Sequence, residues 1–249
     1  MNLGPDTGHV WWLAVDDVPE RDWSAWPSVL DDEERARAAR FIRDADRRQF
    51  IAAHVLLRAM LQHFTGGSAS AWRFVADQHG KPSLDPYHGL TRLQFNISHT
   101  RGAVACGMVL DRQIGVDIED GQRSLCHLQI ADGHFAPAEI AHLRSAPSEQ
   151  QQALFYRLWT LKEAYIKAIG SGLSAPLDRF AFALAPIRIR FETGLNDDAA
   201  HWQFESCDLT ERHTLSVAIR RGVGNAVAVC TDQVTASDVG RLMPGWSNH

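Results

Sequence analysis

Cysteine is scarce in this sequence of 249 residues: Cys106, Cys126, Cys207 and Cys230 stand far apart and form no Cys-x-x-Cys pair. Neither a zinc knuckle nor a dithiol redox motif is therefore expected, and the four read as free thiols. No apolar run approaches the length that spans a bilayer, so no membrane insertion is expected. An excess of positive charge is also missing, since the net charge of -5 leaves no footprint for a nucleic-acid partner. The first residues carry Asp6, Asp16 and Asp17 and no basic flank before an apolar stretch, which argues against a secretory signal and for a cytoplasmic protein. Among the twelve histidines no pair has the i, i+4 spacing with an intervening glutamate that a zinc protease needs. Linkers rich in Pro, Gly or Ser are absent as well.

What is present is an ordinary globular composition, 45% hydrophobic and 22% charged, in a length that suits one large domain or two small halves. Residues 9–15 read as a strand. Asp31 followed by Glu34 reads as a capping box, and 44–64 as a long helix with Phe50, Ala53, Leu57, Leu61 and Phe64 on one stripe. Strands are expected at 72–76, 93–98 and 103–110, with a turn at Gly80-Lys81-Pro82. The order then repeats: strand 115–119, short helix 138–144, and long helix 149–169 opened by Ser148 with Gln151. β-rich stretches follow at 180–191, 202–206 and 214–229, the last folded into a hairpin by residues 222–225. This order predicts an α+β fold of two similar halves, 1–111 and 112–249.

Three constellations carry chemistry. In Gly115-Val116-Asp117-Ile118-Glu119 the two acids, spaced by two on a strand, share a face, which makes either a solvated acidic edge or a cation site. On the second long helix Leu154, Leu158, Leu161, Tyr165 and Ile169 form the apolar stripe, while Trp159, Glu163 and Lys167 recur every four residues on another face. Glu163 and Lys167 alone would be an ordinary exposed pair, but Trp159 on that face predicts a second buried surface. The third is Asn96-Ile97-Ser98-His99, a strand running into a turn. Six arginines, Arg35, Arg37, Arg40, Arg43, Arg47 and Arg48, make either a solvated face or a contact for a polyanion.

Those blocks, together with Phe135-Ala136-Pro137-Ala138-Glu139 and Trp159-Thr160-Leu161-Lys162-Glu163-Ala164-Tyr165-Ile166-Lys167 continuing to Gly170-Ser171-Gly172-Leu173, resemble the 4'-phosphopantetheinyl transferases. Their order and spacing resemble the surfactin-synthetase-activating type, a pseudo-dimer in one chain. The resemblance implies transfer of the phosphopantetheine arm of coenzyme A to a serine of an acyl or peptidyl carrier protein, with release of adenosine 3',5'-bisphosphate. It implies Mg2+ held by Asp117, Glu119 and Glu163, with Asp117, Glu163 and Lys167 catalytic. Lys167 is matched to a lysine on the phosphates, and Gly80, Lys81, Pro82, Ser98 and His99 to contacts with the nucleotide end of coenzyme A. The base for the 3'-phosphate falls on Arg43 or Arg48.

Glu163 is matched to a general base toward the serine. A carboxylate bound to magnesium is a weakened base, so lowering of the hydroxyl or water pKa by the ion is the competing route. A monomer with one site is expected: aligning Phe50 with Phe155 sets Arg58 opposite Glu163, and the first strand offers Trp11 and Trp12 in place of paired acids. The competing readings are a coenzyme A or carrier-protein binding module without turnover, and a magnesium-dependent hydrolase of nucleotide diphosphates.

Overall fold

The twofold order of elements is present in the computed structural model, which describes residues 3–77, 80–123, 126–172, 175–195, 197–221 and 226–243. In the first unit β1 (Thr7–Ala14) leads through α1 (Glu20–Ala25) and α2 (Asp32–Ala39) to the long helix α3 (Asp44–Thr65). A ribbon of β2 (Phe74–Ala76) and β3 (Pro82–Leu84) comes next, then β4 (Leu93–Thr100) and β5 (Ala103–Leu110). β5 lies between β1 and β4, antiparallel to both. The expected capping box forms: the Glu34 N–H donates to Asp31 Oδ1 at 2.8 Å and the Asp31 N–H to Glu34 Oε2 at 2.9 Å. All five stripe residues of α3 are buried against this sheet, and Gly66, at φ 75°, ends the helix.

The second unit repeats the plan. β6 (Ile114–Asp120) is followed by α4 (His127–His134), α5 (Pro137–Ser145) and the long helix α6 (Ser148–Ile169). The hairpin β7 (Phe180–Leu184) with β8 (Ile187–Phe191), then β9 (Trp202–Asp208) and β10 (His213–Arg220), complete it. β10 lies between β6 and β9, antiparallel to both, so the connectivity equals that of β1, β5 and β4. Among the described residues no helix is long and apolar enough to cross a membrane.

Several expectations need correction. The stretch 214–229 is not a hairpin: β10 ends at Arg220, and β11 (Ala228–Gln233) instead pairs in parallel with β1, Thr7 opposite Ala228 and Trp12 opposite Gln233. The turn expected at 222–225 lies outside the described residues, as does Leu173. Residues from Ala228 on, including α7 (Ala236–Leu242), accordingly belong with the first unit, and the second unit is Arg112–Val227 rather than 112–249. An apolar β-run satisfies any free edge, and the one it takes is set by a partner more than two hundred residues away. At the start of α6 the cap is Pro147, and Ser148 turns its hydroxyl to Glu149, so the Ser148–Gln151 box does not form.

The register of the duplication also changes. Arg58 is fully buried, 2.5 Å from Glu34 Oε2, and donates to the carbonyl of Ala69 at 2.7 Å. Lys162 is fully buried at 2.7 Å from Glu139 Oε2. Counted from Asp44 and Ser148, Arg58 and Lys162 fall at the same position of two helices of 22 residues. Arg58 is therefore the counterpart of Lys162, and Ala59 that of Glu163.

Candidate active site

β6 sets Gly115, Asp117 and Glu119 on one face, beside Ala218, Ser216 and Thr214 of β10, and α6 packs on both strands. Val116 and Ile118, on the other face, are fully buried. The approach of the helix depends on Gly115. A Cβ there would stand 2.0 Å from the carbonyl oxygen of Ala164 and 2.5 Å from the backbone nitrogen of Ala168. Only a residue without a side chain lets the backbones come so close. One turn earlier the hydroxyls of Thr160 and Ser216 bond at 2.7 Å.

This seating brings the polar residues of α6 to the acids of β6. Lys167 Nζ donates to Asp117 Oδ1 at 2.6 Å, and the Asp117 side chain is only 5% exposed. Burial pushes the Glu163 carboxyl up to about 7; the charge on Asp117 and, less, that on Glu119 add to the rise, and Lys167 opposes it. Glu163 Oε1 is buried and has no hydrogen-bond partner among the described residues. Glu119 is 3.7 Å from Arg123. Asp120, fully buried, is held by Arg212 Nε at 2.9 Å. Among the described residues no three His, Cys, Asp or Glu side chains stand close enough, as placed, to hold a metal ion.

The remaining candidates belong to the first unit. The Lys81 N–H donates to Asp77 Oδ1 at 2.9 Å beside Gly80 and Pro82, and burial lowers its ammonium pKa against the pull of Asp77. Near the end of β4, Ser98 is buried and His99 is exposed. Arg48 pairs with Glu20 at 2.8 Å and Asp44 at 2.7 Å, with its guanidinium 5.1 Å from the Trp23 ring. Arg43 is exposed at the start of α3 and has no ion-pair partner among the described residues.

A family model described as the 4'-phosphopantetheinyl transferase superfamily matches residues 113–219, and one described as 4'-phosphopantetheinyl transferase, N-terminal, matches 17–107. The 4'-phosphopantetheinyl transferase HetI of Nostoc sp. is 36% identical over 186 residues, 75% of this chain and 78% of the relative. This chain belongs to the 4'-phosphopantetheinyl transferase superfamily. The transferase is also similar to Sfp of Bacillus subtilis, 34% identical over 158 residues (63% of this chain, 67% of Sfp). A third relative is the human L-aminoadipate-semialdehyde dehydrogenase-phosphopantetheinyl transferase, 29% identical over 225 residues (84% and 73%).

Two features of the transferase escaped the sequence reading. Trp159 is half-buried, and within its own unit its ring stacks on Phe155 at 5.8 Å and lies 6.3 Å from Phe135 and 6.1 Å from His134. Helix α4, which the periodicity did not reveal, supplies His134 to that face. The second is the Glu139–Lys162 pair. Both residues lie in the motif blocks quoted above, but nothing in the sequence says that the two meet.

Proposed function

We infer that this chain carries out the reaction of its superfamily, moving the 4'-phosphopantetheine arm of coenzyme A to a serine hydroxyl of an acyl or peptidyl carrier protein. The serine oxygen bonds to the phosphorus that carries the pantetheine. The bond from that phosphorus to the bridging oxygen breaks, and adenosine 3',5'-bisphosphate leaves. The observation that carries the site assignment is the seating of α6 on Gly115, which sets Glu163 and Lys167 over Asp117 and Glu119.

A magnesium ion fits the charge of this site. Burial and the charges of Asp117 and Glu119 raise the proton affinity of Glu163, and a buried oxygen of Glu163 is unsatisfied, which a hard cation with oxygen ligands would relieve. Asp117, Glu119 and Glu163 would hold it, converging further than they do here. When bound, the ion neutralises charge on the diphosphate and lowers the pKa of an attached hydroxyl. Lys167 counters phosphate charge, and Glu163 accepts the serine proton directly or through a water. At the nucleotide end Gly80, Lys81, Pro82, Ser98 and His99 bind coenzyme A. Arg43 meets the 3'-phosphate more readily than Arg48, whose charge Glu20 and Asp44 already balance. Ala59 and His63 stand where Glu163 and Lys167 would be needed, so one site serves a cytoplasmic monomer.

Intact-mass analysis of a panel of carrier proteins incubated with coenzyme A and Mg2+ tests the reading; no added arm on any carrier would sink it, and hydrolysed coenzyme A would favour a hydrolase. Chelation of divalent ions should stop transfer, and calcium should replace magnesium poorly because its coordination is longer and looser. Full activity in chelator would remove the metal assignment. Lys81→Ala and His99→Ala should raise KM for coenzyme A more than they lower kcat, since contacts to the remote end are shared by ground and transition states. Equal losses with dephospho-coenzyme A would mean that neither residue reads the 3'-phosphate.

A further inference from the structure

The Glu139–Lys162 pair takes no part in the chemistry above, yet it joins three segments around the helix that carries Glu163. The Lys162 ammonium has three donors, and three acceptors meet it: Glu139 Oε2 at 2.7 Å and the carbonyls of Leu177 at 2.7 Å and Phe180 at 2.6 Å. The rings of Phe180 and Phe135 lie 4.4 and 5.4 Å from it. Glu139 is equally enclosed, its Oε1 accepting from the Phe182 N–H at 2.8 Å and its Oε2 from the Ala136 N–H at 3.0 Å. A buried pair so fully satisfied gives little stability over an apolar pair of the same size, but it selects one arrangement of the elements it joins.

Neighbouring residues on a helix point about 100° apart. Any rotation of α6 that moved Glu163 off the face of β6 would pull Lys162 away from all three acceptors at once. Gly115 fixes how near the helix lies, while Lys162 fixes how it is turned. The first unit holds α3 in the same way through Arg58, Glu34 and the carbonyls of Ala69 and Trp72. A device common to both halves thus has, in the second, a carboxylate of the site as its next residue.

We propose that Lys162 and Glu139 are positioning residues that set the rotation of α6 and thereby aim Glu163 and Lys167. The inference rests on the transferase reading. Glu139→Gln, Lys162→Met and the double variant test it, with wild type assayed in parallel. The double variant should melt below wild type, because the Leu177 and Phe180 carbonyls and the Ala136 N–H lose their partners, while kcat measured well below the midpoint of melting falls about 10- to 100-fold, the usual cost of losing a supporting contact. KM for coenzyme A should change little. Mn2+ titrated by its electron spin resonance signal, a readout free of turnover, should bind about 10- to 100-fold more weakly. A folded double variant with wild-type kcat and Mn2+ affinity overturns the proposal. If the double variant does not fold, Glu139→Gln, which keeps volume and an acceptor for the Phe182 N–H, decides by the same measures; failure of all three to fold assigns the pair a purely structural role and also overturns it. A wild type that binds Mn2+ but transfers nothing would instead refute the function.

Discussion

Gly115→Ala is expected to reduce transfer by about 100-fold and to lower the melting temperature, although the change adds a single methyl group. The added carbon would lie 2.0 Å from the Ala164 carbonyl oxygen and 2.5 Å from the Ala168 nitrogen. Both are backbone atoms of α6, so no side chain can turn aside and the helix itself must shift. Overpacking of this kind costs about 1–3 kcal/mol, occasionally more. The larger effect is on rate. Glu163 and Lys167 ride on the displaced helix, and a misplacement of about 1 Å can cost about 100-fold. Transfer rates measured well below the midpoint of melting separate the two effects, and near-wild-type turnover there would refute the argument that the glycine seats the helix.

Asp117→Ala and Glu163→Ala should each lower transfer by at least about 100-fold, because charge stabilisation of several kcal/mol is lost from the reacting phosphates, while the fold survives. Normal turnover by either variant at saturating magnesium would count against the metal assignment. Glu163 also makes a prediction that needs no substrate. In the folded chain burial, then Asp117 and Glu119, raise its carboxyl to about 7 from its ordinary 4.5, against Lys167. The folded state therefore holds this proton more tightly than the unfolded state. The stability it contributes is present below about pH 4.5, falls as pH rises from there through about 7, and is level above. In chelator, Glu163→Gln should remove that decline, a gain of at most about 3 kcal/mol at pH 8. Denaturant unfolding at pH 5 and pH 8 measures it, and parallel pH profiles for wild type and variant would show that Glu163 is not perturbed.

Much of this is legible in the sequence. The stripe of α3, the capping box at Asp31 and the strand at 103–110 are local or periodic features, and each formed as read. The reason for the glycine in Gly115-Val116-Asp117-Ile118-Glu119 was not legible, because it lies in the backbone of a helix some fifty residues further on. The bond from Lys167 to Asp117 and the partners of Lys162 are hidden for the same reason. The stretch 214–229 does not fold into the expected hairpin, because alternation of apolar residues predicts a strand and says nothing about which edge receives it. The ring contact that α4 brings to Trp159 through His134 is not legible either, because α4 is a short helix of weak amphipathicity.

The pairing of β11 with β1 has a consequence for synthesis. The whole of Arg112–Val227 is made between the first unit's other strands and β11, so that unit cannot complete its sheet while it emerges from the ribosome. At about 5–20 residues per second, β1 waits on the order of 10–40 seconds for its neighbour with an edge of unpaired N–H and C=O groups. The second unit is thus translated in full before the first can close, and one edge of β1 stays open throughout that interval.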